Sequence, residues 1–371
     1  MAPHERDERM DRPVRIGIIG GGQRTRAYFT AAAASSTLGI TSALVRTEKS
    51  AEDLIRRWGV DATTDAQEFF ARPIDYVIVC VSRDAAPEFI QAAVSRGIPV
   101  LSETPPAAEL AGLVSLYSSL GTAAVQVAEQ YQFQPHHAAR LAIARSGLIG
   151  KPLHARLSTA HDYHAMSLGR AILDLGFKEA EITATSLVDE VVATLGFDGW
   201  SDGTTPKTTT RVTARLRFDG GAVIDYDWSD EQYFSPLRSR HLSVRGVRGE
   251  IIDDTVRHLA GPEAPVTESI TRSETGVDGD LEGRFLRGLT LGGEFVYRNT
   301  LAPGRLSDDE IAIGTGLQKM ADYAASGVPF YGLGDACQDH YLGLLMHEAA
   351  RTGQLVRTMP QPWHREVSAF S

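Results

Sequence analysis

Three consecutive glycines near the start of the chain are the first residues whose spacing points to chemistry. The segment GGGQRT, residues 20–25, has the first two glycines of a G-x-G-x-x-G pattern, with threonine in place of the third. It follows a β-branched run and opens a helical stretch, which favours a dinucleotide site over a turn that binds nothing. Glycine lets the backbone approach a pyrophosphate, and the helix N-terminus adds N–H groups and positive charge. The residues predicted to contact the cofactor here are Gly20, Gly22, Gln23, Arg24 and Thr25.

The end of the second predicted strand indicates which dinucleotide is bound. NAD sites usually place Asp or Glu there to bind the ribose 2′-hydroxyl, whereas a 2′-phosphate needs arginine. This strand ends in Arg46-Thr47, with no carboxylate before Glu48. Arg46 can pair with a phosphate and Thr47 can donate a hydrogen bond, although a merely solvated Arg46 would fit the same sequence. We therefore favour NADP(H) over NAD(H).

A second group of chemically capable residues lies in the segment HDYH, residues 161–164. A tyrosine hydroxyl or a neutral imidazole can polarise a carbonyl and transfer a proton, so Tyr163, His164 and His161 are candidate catalytic residues. The alternative is a set of polar residues that cap a helix or join a subunit surface. No metal site is predicted, because nothing nearby completes a ligand set.

Two weaker signals occur later in the chain. The segment DEQY, residues 230–233, follows Trp228 and can either bind hydroxyl groups or form a solvated turn. His340 and His347 are seven residues apart on the last predicted helix, and we interpret them as structural residues on one helix face.

Length and charge limit the class of protein. A chain of 371 residues is long enough for two domains. Its net charge of −10 argues against nucleic-acid or anionic-membrane partners, which leaves a small-molecule substrate. The two cysteines are far apart, the first dozen residues contain no signal-peptide core, and no apolar run reaches the roughly 18 residues of a membrane span. We expect a cytoplasmic protein.

The first half of the chain alternates strand and helix signals, which predicts a doubly wound parallel sheet. The predicted strands are 14–19, 40–45, 76–81, 99–102 and 124–128, and the predicted helices are 25–34, 50–58, 85–95 and 108–120. The second half alternates in polarity at 208–218 and 222–228, with a turn at 219–221, and adds strands at 153–158 and 241–245. Helices are predicted from Ser307 and over 335–352. The domains are then a disordered tail (1–12), a Rossmann domain (13–131), and an α/β domain (132–371) with an open, mainly antiparallel sheet.

In the order and spacing of its segments the chain resembles the Gfo/Idh/MocA oxidoreductase family. The matching segments are GIIGGGQRT, DYVIVCVS, GIPVLSETPPA, EQYQFQP, RSGLIGKP, LRFDGGAV and EAARTGQLV. The resemblance implies a Rossmann domain, then an α/β domain whose final helices return to it and whose open sheet often joins subunits into a homodimer or homotetramer. It adds Val81, Ser82, Glu103, Thr104 and Gln130 to the predicted cofactor contacts.

The sequence departs from the family at both of its usual proton-handling positions. Where the family has Glu-Lys-Pro, this chain has Glu103-Thr104-Pro105, and a threonine hydroxyl is not a useful general base near neutral pH. Where the family has Asp-x-Gly-x-His, the last position holds Lys178. Lys178 is either a substitute acid–base residue with a pKa lowered by burial, or a surface residue on a helix.

Two functions fit these residues. The first is an NADP(H)-dependent oxidoreductase that transfers hydride at a carbinol, carbonyl or imine of a sugar-like or polyhydroxylated molecule. The second is a dinucleotide or ligand sensor that keeps the fold without catalysis, which the loss of both family residues favours. The richness in polar groups around Tyr163 favours the enzyme.

Overall fold

The computed structural model describes residues 12–121, 123–196 and 199–365. Apart from Arg12, the predicted tail lies outside the described residues. The chain divides into two compact units. The first comprises the described residues up to Pro135, with Ser273–Gly288 and Arg298–Ala336, and the second comprises His136–Arg272, Leu289–Tyr297 and the described residues from Cys337 onward.

The regular elements of the described residues are as follows. The helices are α1 (Gln23–Ala33), α2 (Glu48–Trp58), α3 (Ala66–Ala71), α4 (Ala86–Val94), α5 (Leu110–Leu120), α6 (Pro135–Arg145), α7 (Asp162–Leu173), α8 (Asp308–Ser326) and α9 (Leu333–Thr352). The strands are β1 (Val14–Ile19), β2 (Leu38–Leu44), β3 (Asp61–Thr63), β4 (Tyr76–Val79), β5 (Val100–Ser102), β6 (Val125–Val127), β7 (Pro152–Ser158), β8 (Ala180–Val192), β9 (Leu195–Gly196), β10 (Gly199–Trp200), β11 (Pro206–Phe218), β12 (Val223–Ser229), β13 (His241–Gly246), β14 (Gly249–Ile252), β15 (Thr255–Gly261), β16 (Ala264–Ser269), β17 (Thr271–Glu274), β18 (Leu286–Leu291), β19 (Glu294–Arg298) and β20 (Val356–Arg357). Short 3-10 helices span Tyr131–Phe133, Asp230–Tyr233 and Pro362–Arg365.

The first unit contains a parallel sheet in the order β3-β2-β1-β4-β5-β6. All four residues of β4 are buried, as expected for a strand covered by helices on both faces. The strand order moves outward from β1 in both directions, so the predicted doubly wound Rossmann fold is confirmed.

The strand β3 and the helix α3 of the first unit were not predicted from the sequence. β3 has only three residues, and Asp61 and Thr63 give it little apolar pattern. The short helix α3 is initiated by the Asp65 side chain, which accepts hydrogen bonds from Gln67 N at 2.7 Å and Glu68 N at 3.3 Å.

The second unit contains a sheet in the order β16-β15-β14-β13-β7-β12-β11-β8-β20. Its pairs are antiparallel except for the parallel pair β12 and β7, which confirms the predicted mainly antiparallel domain. On β11, Val212 and Leu216 are buried as the alternation predicts. The alternation of burial ends at Thr210, which is exposed, and Thr209, whose hydroxyl donates to the Glu231 carboxylate, is buried instead. Assembly through this sheet stays a prediction.

Local end signals were read correctly in several places. Ser307 and Glu310 form the predicted capping box at the start of α8. The turn between β11 and β12 uses Gly220 and Gly221, both at φ of +87°.

Within the described residues both cysteines are free thiols. A search of the helices in the same part of the chain finds none with the length and hydropathy of a membrane span.

Candidate functional site

The carboxyl ends of five strands of the first unit meet along one edge of the sheet. The register pairs Ile19 with Leu44 on one side and with Val79 on the other, then Val79 with Ser102 and Ser102 with Val127. The segments that follow these residues contain the cofactor contacts predicted from the sequence, apart from the three residues that begin α1. We call this edge, with the first turn of α1, the nucleotide edge. Such an edge at the change of strand order is where open α/β sheets bind ligands.

Gly20 closes the turn between β1 and α1 in a way that other residues cannot. Its φ is +133°, and a Cβ atom there would lie 2.1 Å from the carbonyl oxygen of Cys80. Gly22 is the N-cap of α1, makes no side-chain cap, and has no atom within 4 Å of its would-be Cβ. The first N–H groups of α1 are therefore left for a ligand instead of a capping side chain.

The three residues that begin α1 have different environments. Gln23 is exposed. Arg24 Nε donates to Glu103 Oε1 at 2.7 Å and its Nη1 lies 3.4 Å from Asp309 Oδ2, so its guanidinium is already ion-paired. Thr25 is fully buried and its hydroxyl lies 3.7 Å from Cys80 Sγ, so it packs between helix and sheet as the third glycine of the pattern does.

The two residues after β2 are both exposed. Arg46 shows no ion pair within the described residues, which leaves its guanidinium available to a phosphate. Thr47 is the N-cap of α2, and its hydroxyl oxygen accepts from Ser50 N at 3.3 Å. This capping hydrogen bond is sufficient reason for a threonine at position 47, so a ligand contact is not needed to explain it.

The remaining predicted contacts follow β4, β5 and β6. Val81 and Thr104 are half-buried, and Ser82 is exposed. Gln130 Oε1 is buried and has no hydrogen-bond partner among the described residues. A buried carbonyl oxygen without a donor is costly, and the carboxamide N–H of a nicotinamide is the kind of donor that would satisfy it.

Glu103 organises the centre of the nucleotide edge. It accepts from Tyr28 Oη at 2.6 Å as well as from Arg24. Burial and the Glu103 charge raise the pKa of Tyr28 and raise the pKa of Cys80 to about 12. Burial alone would lower the pKa of Arg24, but Glu103 and other neighbours outweigh it and raise that pKa. None of these three groups changes charge near neutral pH, and Thr104 adds no ionisable group.

The second unit brings together a compact set of imidazole, phenol and carboxylate groups, which we call the His–Tyr cluster. Its members are His161, Asp162, Tyr163, His164, Tyr226, Tyr233, His340 and His347. The rings of His161 lie 5.0 Å from Tyr163 and 4.9 Å from His164, and Tyr163 lies 5.5 Å from His340. Three of the four catalytic candidates are therefore in mutual contact.

His161 is held by Tyr233. Its Nδ1 and the Tyr233 hydroxyl form a short hydrogen bond, and its backbone N–H donates to the same oxygen at 3.3 Å. Burial and the neighbouring His164 lower the pKa of His161 to about 4, against a partial opposing effect of Asp162. The imidazole is therefore neutral at pH 7. The 3-10 helix that presents Tyr233 is fixed by Gln232, whose Oε1 accepts from Ser229 N at 2.9 Å.

Asp162 links three elements of the unit. It is the first residue of α7, and its Oδ1 lies 2.9 Å from His347 Nε2 on α9 and accepts from Tyr226 Oη on β12 at 3.3 Å. Burial raises the pKa of Asp162, but the His347 hydrogen bond and charge outweigh this and lower it. The same hydrogen bond raises the pKa of His347.

Sequence reasoning missed half of this cluster. His340 and His347 were interpreted as structural, although both lie in it, and Tyr226 was not singled out. The seven-residue spacing of the two histidines was a usable signal, because it places both on one face of α9. Tyr233 was flagged only as part of a polar loop.

Lys178 is separate from these groups in its environment. It is exposed and lies in the turn between α7 and β8, so its predicted position on a helix is wrong. Asp174 and Gly176 adopt positive φ values of 53° and 54°, which end α7 before Lys178 is reached. Among the described residues no group of three or more His, Cys, Asp or Glu is arranged to hold a metal ion.

Comparisons with known proteins agree with this geometry. Residues 14–131 match the Gfo/Idh/MocA family model, described as an oxidoreductase family with an NAD-binding Rossmann fold. An oxidoreductase from Agrobacterium radiobacter, in complex with NAD+, L-tartaric acid and magnesium, is 18% identical, with a TM-score of 0.67 over 92% of this chain and 98% of that chain. A myo-inositol dehydrogenase from Corynebacterium glutamicum is 19% identical, with a TM-score of 0.65 over 94% and 99%.

A third solved structure, levoglucosan dehydrogenase in complex with NADH and levoglucosan, is 16% identical, with a TM-score of 0.68 over 94% of this chain and 100% of that chain. A search of curated proteins found no match to the sequence. Residues 14–131 are therefore similar to the NAD-binding Rossmann domain of the Gfo/Idh/MocA oxidoreductases, and the fold of the chain is that of the three solved structures.

Proposed function

We propose that the protein is an NADP(H)-dependent oxidoreductase that transfers hydride at a carbinol, carbonyl or imine of a sugar-like or polyhydroxylated small molecule. The observation that carries the proposal is the nucleotide edge, where Gly20 leaves no room for a side chain and the start of α1 is uncapped. Three solved structures of the same fold support a nicotinamide dinucleotide and a polyhydroxylated substrate: an oxidoreductase with NAD+ and L-tartaric acid, a myo-inositol dehydrogenase, and a levoglucosan dehydrogenase with NADH and levoglucosan.

The residues of the nucleotide edge fit a nicotinamide dinucleotide. The turn at Gly20 and the N–H groups of α1 suit the pyrophosphate, and Arg46 suits the adenosine side. The buried oxygen of Gln130 suits the carboxamide. When bound, the nicotinamide supplies or accepts the hydride, and the protein has to orient the substrate and handle one proton.

We assign the orientation of the substrate and the handling of the proton to the His–Tyr cluster. Tyr163 and His164 can hydrogen-bond the reacting oxygen, and the neutral His161 supports them. Trp228 Nε1 is buried, has no hydrogen-bond partner among the described residues, and its ring lies 4.9 Å from that of Tyr233. An unsatisfied donor beside the cluster suits a hydroxyl-rich ligand. The exposed Lys178 has no part in this proposal.

The choice of NADP(H) rests on Arg46. Replacing Arg46 with alanine removes the only residue we assign to the 2′-phosphate, so NADPH should bind about 10-fold or more weakly while NADH binding stays within about twofold. Isothermal titration calorimetry with both cofactors measures this. The control is Arg57→Ala, which removes an exposed arginine from the other end of α2. Equal losses for NADPH and NADH would contradict the assignment.

Turnover tests the enzyme against the sensor. We expect oxidation of myo-inositol, levoglucosan or a related polyol with NADP+, or reduction of a keto-sugar with NADPH, followed by absorbance of the reduced nicotinamide. Tyr163→Phe should lower kcat by about 100-fold, because it removes a donor to the reacting oxygen. Tyr323→Phe, on α8 in the first unit, is the control.

The sensor remains the second candidate for a specific reason. Thr104 stands where the family lysine would be, and the groups around Glu103 do not change charge near neutral pH. Tight dinucleotide binding without turnover across a broad panel of polyols, keto-sugars and imines would favour the sensor and contradict the enzyme.

A further inference from the structure

The Asp162 carboxylate has an unusual setting within the His–Tyr cluster. The backbone φ of Asp162 is +36°, in the left-handed region that a non-glycine residue seldom adopts, although Asp162 begins an α-helix. Asp162 is packed closely against α9: a Cβ atom added at Gly343 of that helix would lie 3.3 Å from Asp162 Cβ. Residues kept in such conformations cluster at functional sites, because the surrounding structure has to hold them there.

The hydrogen bonds of Asp162 orient a histidine. Oδ1 faces His347 Nε2 at 2.9 Å, so Nε2 carries the proton that is donated and Nδ1 is left as the acceptor nitrogen. Tyr226 fixes the carboxylate from the other side, because its hydroxyl accepts from Asp162 N at 3.1 Å and donates to Oδ1 at 3.3 Å. The His347 side chain is 51% exposed, so Nδ1 can reach a ligand or water.

We propose that His347, oriented by Asp162 and Tyr226, is the residue that takes up and returns the proton in the hydride-transfer reaction proposed above. In the oxidation direction the carbinol carbon loses a hydride to the oxidised dinucleotide, and the carbinol oxygen loses its proton to His347 Nδ1. The C–H and O–H bonds break, a C=O double bond forms, and His347 becomes an imidazolium ion whose charge Asp162 balances. The reduction direction reverses each change. The inference rests on the proposed function, because it needs that reaction.

The charged groups near His347 differ from those near His161, and this difference separates the roles of the two histidines. The groups that bear on His347 are Asp162 on α7 and Asp230 in the 3-10 helix after β12, and both raise its pKa. His161 instead has His164 and His340 among its neighbours, and burial together with these imidazoles lowers its pKa and keeps it neutral. Neighbouring titratable groups whose pKa values are displaced in opposite directions are a recurrent sign of acid–base assignments. A merely structural ion pair between α7 and α9 would show the same contact, so the test has to separate the two roles.

The first measurement needs neither substrate nor cofactor. The NMR titration of the imidazole C–H signals of the full chain, with His347 assigned by the signal that His347→Gln removes, gives its pKa directly. We expect a value above the ordinary imidazole value of about 6.5, and a lower value in Asp162→Asn. A His347 pKa at or below the ordinary value in the wild-type chain would overturn the proposal.

The second measurement is the pH profile of kcat/KM for polyol oxidation. Because His347 has to be neutral to accept the proton, activity should fall as the pH decreases through its pKa, and Asp162→Asn should move this fall to lower pH. His347→Gln should lower kcat by about 100-fold or more and remove the acidic limb. The control is His154→Gln on β7. This variant removes a comparable His–Asp pair, in which His154 Nε2 lies 2.9 Å from Asp225 Oδ2.

The outcomes distinguish this proposal from the proposed function. If the wild-type chain oxidises a polyol and His347→Gln keeps both its rate and its acidic limb, the ion pair is structural and His347 has no such role. If the wild-type chain binds the dinucleotide but turns over no polyol, keto-sugar or imine, the proposed function fails and the proton-transfer role fails with it.

Discussion

Replacing Gly20 with alanine is expected to weaken dinucleotide binding severely. The added Cβ atom would lie 2.1 Å from the Cys80 carbonyl oxygen, and φ is +133°, where residues with a side chain are strained. The loop between β1 and α1 has to move, and the N–H groups of α1 move with it. Calorimetric titration of NADPH should show affinity lowered by about 100-fold or more, the equivalent of about 2.7 kcal/mol.

A matched variant separates this effect from general damage to the sheet. Gly39→Ala alters β2, where a Cβ atom would meet other atoms only at 3.9 Å, so binding should be retained. Circular dichroism and urea unfolding show whether Gly20→Ala still folds. A folded Gly20→Ala protein that binds NADPH with the wild-type affinity would show that the turn does not seat the pyrophosphate.

Removing the charge of Asp339 should cause the largest loss of stability among the single changes considered. Arg170 and Asp339 are fully buried, and Arg170 Nη1 lies 2.9 Å from Asp339 Oδ1. Asp339→Asn removes a buried negative charge that lies against the Arg170 guanidinium, so we expect the free energy of unfolding to fall by about 3–5 kcal/mol. Urea denaturation measures this.

The same arginine fixes the turn that ends α7. Arg170 Nε and Nη2 both donate to the carbonyl oxygen of Gly176, at 2.9 and 2.7 Å. Arg217→Ala is the control, because Arg217 pairs with Glu181 at the surface, where such pairs contribute less than about 1 kcal/mol. Equal losses for the two variants would contradict a special role for the buried pair.

The Rossmann sheet could be predicted because its signals are local. Runs such as Tyr76–Val79 are apolar throughout, and the glycine turn and the helix ends have their own residue signatures. β3 and the long strand β8 lacked such signals. β8 is mostly exposed over its second half, so its residues do not alternate as a half-buried strand does.

The nucleotide edge could also be anticipated, because its contacts follow consecutive strands. The His–Tyr cluster could be anticipated only where its residues are adjacent in sequence, at 161–164. Asp162 and His347 are 185 positions apart, and only the packing of α7 against α9 brings them together. Lys178 was misplaced because the positive φ values at Asp174 and Gly176, which end the helix, were not recognised from the Asp-Leu-Gly sequence.

Calorimetric titration of NADPH and NADH into the wild-type chain is the most direct test of the central claim, that the turn at Gly20 and the start of α1 bind a dinucleotide. We predict one site per chain that binds both cofactors, with NADPH bound more tightly. Absence of binding heat for both cofactors at millimolar concentration, with the chain folded, would contradict the account.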